Sequence, residues 1–220
     1  MNSMNFKTKI VVSIFSFFLT ISSLKAQNTQ SLLSEVSNKV KSYENIQIDF
    51  KYSLENTREN VKQDTRANIT LKGDNYVLNM LGVTRIFDGK TIYTIVPEDE
   101  EVTISNYSKK EDKSISVSEM LTFYEKGYNY KMDIQQNIRG RKIQFIKLNP
   151  IDSNTEIKNI LLGIDMQTKH IYKLIQVDSS GTSYTITVNS FKTNQPISQN
   201  LFIFDEEKYT NQGYYINKLE

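Results

Sequence analysis

Ile46-Gln47-Ile48-Asp49-Phe50-Lys51-Tyr52-Ser53-Leu54 alternates apolar and polar side chains without a break. Successive side chains of a strand point to opposite faces, so this stretch predicts a strand with one dry face and one wet one. The same period runs outward from it. Ala67, Ile69 and Leu71 lead into a turn at Lys72-Gly73-Asp74-Asn75, and Tyr76, Leu78 and Met80 alternate again beyond it. Asp88-Gly89 turns the chain into residues 91–96, and residues 97–100 turn it into Val102 and Ile104. Later come Tyr128, Tyr130, Met132 and Ile134, then Ile143 and Phe145, then Ile160, Leu162, Ile164 and Met166, then residues 171–177. Ser179-Ser180-Gly181 turns into Tyr184, Ile186 and Val188. Alternating runs joined by turn signals predict an antiparallel sheet of roughly ten to eleven strands with one dry face.

Helix signals are few. Leu32, Leu33, Val36, Val40 and Tyr43 line one face of a helix over residues 29–43. A second helix is marked by a capping box at Ser116 and Glu119. Val117, Met120, Leu121 and Tyr124 fall on one of its faces, and Gly127 suits its end. It spans only about ten residues and must lean on something apolar. A sheet of this size curls under its own twist or splits in two. Two helices cannot cover it, so its inside is either filled by side chains or left as a cavity. The 11 Phe, 13 Tyr and 6 Met residues suit the lining of an apolar space.

Residues 1–26 read as an export signal. Lys7 and Lys9 precede an apolar run from Ile10 to Ile21, and Ser22, Ser23 and Ala26 supply small residues for cleavage before Gln27. The run is short of the ~20 apolar residues a membrane span needs. Residues 27–220 are then expected to form a single domain. Lys7, Lys9 and Lys25 carry all the charge of the leader, which leaves 24 basic against 25 acidic residues in the remainder. That near balance offers no nucleic-acid footprint. The chain has no cysteine, so no residue after the signal can take a lipid anchor, and release as a soluble monomer is expected.

Catalytic and metal-binding patterns do not emerge. A hydrolytic triad needs a base beside its nucleophile, and the single histidine, His170, sits in the turn signal Gln167-Thr168-Lys169-His170, where an exposed loop position is expected. One imidazole and no thiol make a zinc site improbable. Glu98-Asp99-Glu100-Glu101 lacks calcium-loop spacing and reads as a solvated hairpin tip. The reading is of a protein that is not an enzyme and has no cofactor.

Two further strings carry a resemblance. Phe87-Asp88-Gly89-Lys90-Thr91-Ile92-Tyr93-Thr94-Ile95-Val96-Pro97, followed by Glu101-Val102-Thr103-Ile104, resembles the central hairpin of the LolA family of lipoprotein carriers. Asn194-Gln195-Pro196-Ile197, leading to Leu201-Phe202-Ile203-Phe204-Asp205, resembles that family's closing strand with its F-x-F core. The opening helix and strand and the mid-chain helix fall in family order, so the resemblance spans nearly all of residues 27–220. It departs at Lys72-Gly73-Asp74, where better-known members have Lys-Arg-Pro with an arginine that latches the lid, and at Tyr93, where tryptophan is common.

The resemblance implies an incomplete, half-open antiparallel barrel covered by an α-helical lid over an apolar cavity. It implies a periplasmic chaperone that takes the acyl chains of lipoproteins from an inner-membrane ABC transporter to an outer-membrane acceptor. Residues expected to line the cavity are Ile48, Phe50, Tyr52, Ile69, Leu71, Tyr76, Leu78, Met80, Tyr93, Ile95, Val102 and Ile104 from the sheet. From the lid they are Val117, Met120, Leu121 and Tyr124. A one-residue slip would exchange the faces, and in residues 91–96 either set can look inward. Without the arginine, apolar contacts alone are expected to hold the lid. The alternatives are a lipid-binding sensor or regulatory domain of the same fold, and a carrier of another amphiphile such as a glycolipid.

Overall fold

A computed structural model describes residues 28–107 and 121–219. The expected signal, residues 1–26, lies outside them, as do the capping-box residues Ser116 and Glu119 and the lid residues Val117 and Met120. Helix α1 runs over residues 28–41, close to the expected span.

Twelve strands follow among the described residues: β1 (Ile46–Asn56), β2 (Val61–Lys72), β3 (Asn75–Met80), β4 (Val83–Phe87), β5 (Thr91–Val96), β6 (Glu101–Asn106), β7 (Tyr128–Ile138), β8 (Arg141–Pro150), β9 (Ile157–Asp165), β10 (Ile171–Asp178), β11 (Ser183–Thr193) and β12 (Tyr215–Leu219). A short helix, α2 (Glu206–Asn211), precedes the last strand. The strands form one open sheet in the order β12-β6-β5-β4-β3-β2-β1-β11-β10-β9-β8-β7. Its edges, β12 and β7, do not pair with each other, which makes it an incomplete barrel.

Every pairing is antiparallel except β12 against β6. The exception follows from the path of the chain. After β11, in the middle of the sheet, residues 194–214 cross one face, and the chain joins the far edge running alongside β6. Phe202 on that crossing segment is buried against Val77, Ile86, Ile95 and Val102, with Ile197, Leu201, Phe204, Tyr209 and Tyr214 packed around it. The F-x-F string is thus not a closing strand. Residues 201–204 have no regular structure, and the last strand comes later, at Tyr215–Leu219. Strand β4 also went unread, because the turn at Leu81-Gly82 has positive φ at both residues (54° and 78°) and leaves no gap between β3 and β4 for a loop signal.

The opposite face is concave, and α1 lies on it. Leu32, Leu33 and Val36 pack on Ile146, Leu148, Ile160, Leu162, Ile164 and Ile171 of one half-sheet. Val40 packs with Ile46, Ile48, Ile69, Leu71, Tyr76, Phe87 and Ile92 of the other half. The amphipathic stripe of a single helix therefore bridges both halves of the curled sheet. Burying each such aliphatic side chain contributes about 1.5–3 kcal/mol, which suffices to hold a helix of this length that would be marginal alone.

Only the end of the second expected helix falls among the described residues. Within the described residues, Leu121 and Thr122 form a turn, Phe123–Glu125 is a single 3-10 turn, and β7 begins right after Gly127. Tyr124 points into the core under α1, where it is fully buried. The neighbouring Glu125 side chain also meets α1, at Ser37 and Lys41.

Candidate functional site

Cross-strand register sets which side chains look into the concavity. Ile46, Ile48, Phe50 and Tyr52 of β1 stand opposite Leu71, Ile69, Ala67 and Thr65 of β2. These in turn meet Tyr76, Leu78 and Met80 of β3. On the other side of β1, Ile48, Phe50 and Tyr52 stand opposite Phe191, Val188 and Ile186 of β11. Leu174 and Gln176 of β10 then face Ile186 and Tyr184, and Leu162 and Ile160 of β9 continue the row. One apolar stripe thus crosses the sheet.

A cavity of about 320 Å³ opens over the middle of this stripe. Ile48, Phe50, Tyr52, Ile69 and Leu71 line it from β1 and β2; Leu174, Gln176, Tyr184, Ile186, Val188 and Phe191 line it from β10 and β11. Ile157, Ile160, Ile171 and Tyr128 complete the wall, and Leu121 and Phe123 form its cover. Phe50, Tyr52, Leu174, Ile186 and Val188 are only partly buried although they sit on the sheet's inner face. Core residues of a close-packed interior would be covered; these are lined up around empty space.

Five of the expected sheet residues, Ile48, Phe50, Tyr52, Ile69 and Leu71, come together in this cavity. Tyr76 and Leu78 lie on the same face but pack with Phe87 and Val40 under α1. Met80 shares that face by register, between Ala67 and Val83. Tyr93, Ile95, Val102 and Ile104 are placed on the opposite face, beneath the crossing segment, where Tyr93 stacks on Phe204 with ring centroids 4.5 Å apart. Of the lid residues, Leu121 reaches the cavity, while Tyr124 is buried in the cluster under α1. The wall contributed by β9, β10 and β11 was not foreseen, although Ile160, Leu162, Ile186 and Val188 show the same alternation that marked β1.

The cover is tied to α1 by polar contacts as well as apolar ones. Glu125 accepts hydrogen bonds from Ser37 and from Lys41, the latter at 2.7 Å. These two donors hold its carboxyl below the usual carboxylate range. At this end of the expected lid the contact with α1 is thus polar as well as apolar, since the carboxylate bridges buried Ser37 and exposed Lys41. Tyr124 beside it has no hydrogen-bond partner for its hydroxyl among the described residues, and burial raises its pKa strongly.

His170 is not a free loop residue. Its ring is half-buried, stacks on Phe191 with centroids 4.0 Å apart, and its Nε2 lies 2.8 Å from the Tyr43 hydroxyl just beyond α1. Burial lowers its pKa, with help from Lys39 and against the pull of Asp165. The turn signal located the backbone but said nothing of which strand the ring would lie on.

Among the described residues, no group of three or more His, Asp or Glu side chains is placed to hold a metal ion, and no helix is long and apolar enough to cross a membrane. No curated protein matches this sequence. Among solved structures, an uncharacterized conserved protein from Thermus thermophilus superposes with a TM-score of 0.58 at 9% identity, over 87% of this chain and 99% of that one. A LolA superfamily protein from Nitrosomonas europaea gives 0.44 at 13% identity, over 82% and 98%. LprF from Mycobacterium bovis gives 0.48 at 13%, over 79% and 96%. The profile of the family described as outer membrane lipoprotein carrier protein LolA matches residues 81–205, more than half of the sequence, and the chain belongs to that family.

Proposed function

We propose that this protein is a periplasmic carrier that holds the acyl chains of lipoproteins in the concavity and moves them from an inner-membrane ABC transporter to an outer-membrane acceptor. The observation that carries this reading is the dry, partly uncovered wall of Phe50, Tyr52, Leu174, Ile186 and Val188 under a cover that is tied down at Glu125. Apolar surface held open to a cavity costs folding free energy that a filled core would not, at roughly 25 cal/mol per Å². An acyl chain recovers that term. Each buried CH₂ contributes about 0.8 kcal/mol, so even part of one chain binds well.

The chain acts as a binding protein without bond chemistry in this reading; among the described residues of the wall, none pairs a nucleophile with a base. Recovery of the protein from its own periplasm, followed by mass spectrometry of extracted lipid, tests it. Bound acylated lipoprotein, displaced by a fluorescent acyl probe, is the expected result. A protein that carries no lipid and binds no acyl probe overturns the reading.

A further inference from the structure

The cavity wall is not uniform. Its far end, at Ile48, Ile69 and Phe191, is hydrocarbon alone. At the other end, Gln176 stands opposite Tyr184 on β11, and Tyr52 lies one step along, opposite Ile186. A side-chain amide and two hydroxyls therefore gather where the wall otherwise consists of Ile160, Leu174 and Ile186. Burial raises the Tyr52 pKa, and the neighbouring Tyr184 raises it further. Such groups in a greasy wall serve orientation, because a polar atom removed from water without a partner costs about 1–3 kcal/mol.

The charge beside them is negative on balance. The Tyr184 hydroxyl donates to Asp178 Oδ2 at 3.4 Å. That carboxylate is kept ionised by hydrogen bonds from the Ser180 hydroxyl at 2.6 Å and the Thr182 N–H at 2.9 Å, which hold its pKa low. Glu156 adds a second negative charge felt by Tyr184. Arg58, held on the Ser180 carbonyl at 3.3 Å, offsets one of these two negative charges and leaves the other. A ligand carboxylate brought to this end would meet net like charge.

Resting on the acyl-carrier reading, we infer that the cavity selects acyl groups whose carbonyl is neutral, as an ester or amide, over free fatty acids. The carbonyl sits at Tyr52 and Gln176, which donate to it, and Asp178 excludes the ionised acid. A chain joined by an amide or ester to a peptide or glyceride then enters tail first, toward Ile48 and Phe191.

The test compares palmitate, monopalmitoylglycerol and hexadecane on the protein without its leader, at a pH where the free acid is ionised. The ester is expected to bind about threefold or more tightly than palmitate, since Asp178 stands at the rim, partly exposed, and its repulsion is partly screened. Asp178→Asn, which still accepts from Ser180 and Thr182, should tighten palmitate more than the ester. Gln176→Leu should weaken the ester more than hexadecane. Palmitate binding as well as the ester, or an unchanged ratio in Asp178→Asn, overturns the inference and leaves acyl carriage standing. Failure of all three probes on folded protein overturns both.

Discussion

The Tyr43 hydroxyl meets His170 Nε2 at 2.8 Å, and the same imidazole stacks on Phe191, which lines the cavity. The chain just past α1 is thereby connected to the wall of the site through one titratable ring. Burial, with Lys39 nearby and Asp165 opposing, places the His170 pKa below its ordinary value. The unfolded chain binds the proton more readily than the folded one, so folding is linked to pH in one direction. The stabilisation is fully present above the unfolded value near 6.5 and is lost as pH falls through the lower folded value. Melting temperature should therefore drop as pH falls from about 7.5 to about 5. His170→Gln should flatten that slope relative to the parent; an identical slope in both proteins would show that other groups dominate.

Gly163 of β9 lies under Phe145 of β8. A Cβ there would come within 2.9 Å of Phe145 Cε1 and 3.2 Å of Ile143 Cγ2. Both neighbours are buried, so neither ring nor methyl can swing into solvent. Gly163→Ala should destabilise by about 1–3 kcal/mol through overpacking. Phe145→Leu in the same chain should recover part of the loss, as read by urea unfolding. Full stability in Gly163→Ala alone would mean that the contact relaxes without cost.

The inward face was legible in the sequence wherever one side of a strand was clearly wetter than the other. β1, β2 and β3 alternate cleanly, and the tight turn at Gly73 locks their register, so Ile48, Phe50, Ile69 and Leu71 share one face. β5 and β6 did not, because both of their faces are covered: Ile92 packs with Phe87 beneath α1, while Tyr93 and Ile95 pack beneath the crossing segment. Nothing within Thr91–Val96 says which layer is which. The far wall was illegible for a different reason. Whether Ile186 and Val188 join Phe50 depends on β11 pairing with β1 across more than a hundred residues, and that pairing is decided by the fold as a whole.

Leu121 touches both clusters under α1 and also covers the cavity. Its side chain is only partly buried. Leu121→Glu should thus lower acyl-probe affinity by about tenfold or more while costing less than the 2–5 kcal/mol typical of a charge forced into a sealed core. Thermal unfolding and probe titration on one sample separate the two effects. Unchanged probe affinity with a collapsed melting temperature would assign Leu121 to ordinary core packing.

Glu125 makes the final case. Its ion pair with Lys41 joins two half-exposed side chains (39% and 55%), and such pairs contribute roughly 0–1 kcal/mol. Ser37 is different: it is 1% exposed, and Glu125 accepts its hydroxyl. Removing the carboxylate leaves that buried hydroxyl without its acceptor, a cost of about 1–3 kcal/mol. Because both donors lie on α1 and the acceptor lies on the cover, that cost falls on the closed arrangement of the two. The Tyr124 hydroxyl next to it, buried without a partner among the described residues, weakens the same arrangement in the parent protein. Glu125→Ala should therefore loosen the cover: amides of residues 28–41 and 121–126 exchange faster in the empty protein, and an acyl probe loads about fivefold or more quickly, as a 1 kcal/mol change implies. High salt, at about 1 M, screens the Lys41 pair alone and should reproduce only a small part of the effect. Equal exchange and equal loading in Glu125→Ala would show that α1 and the cover do not gate the cavity.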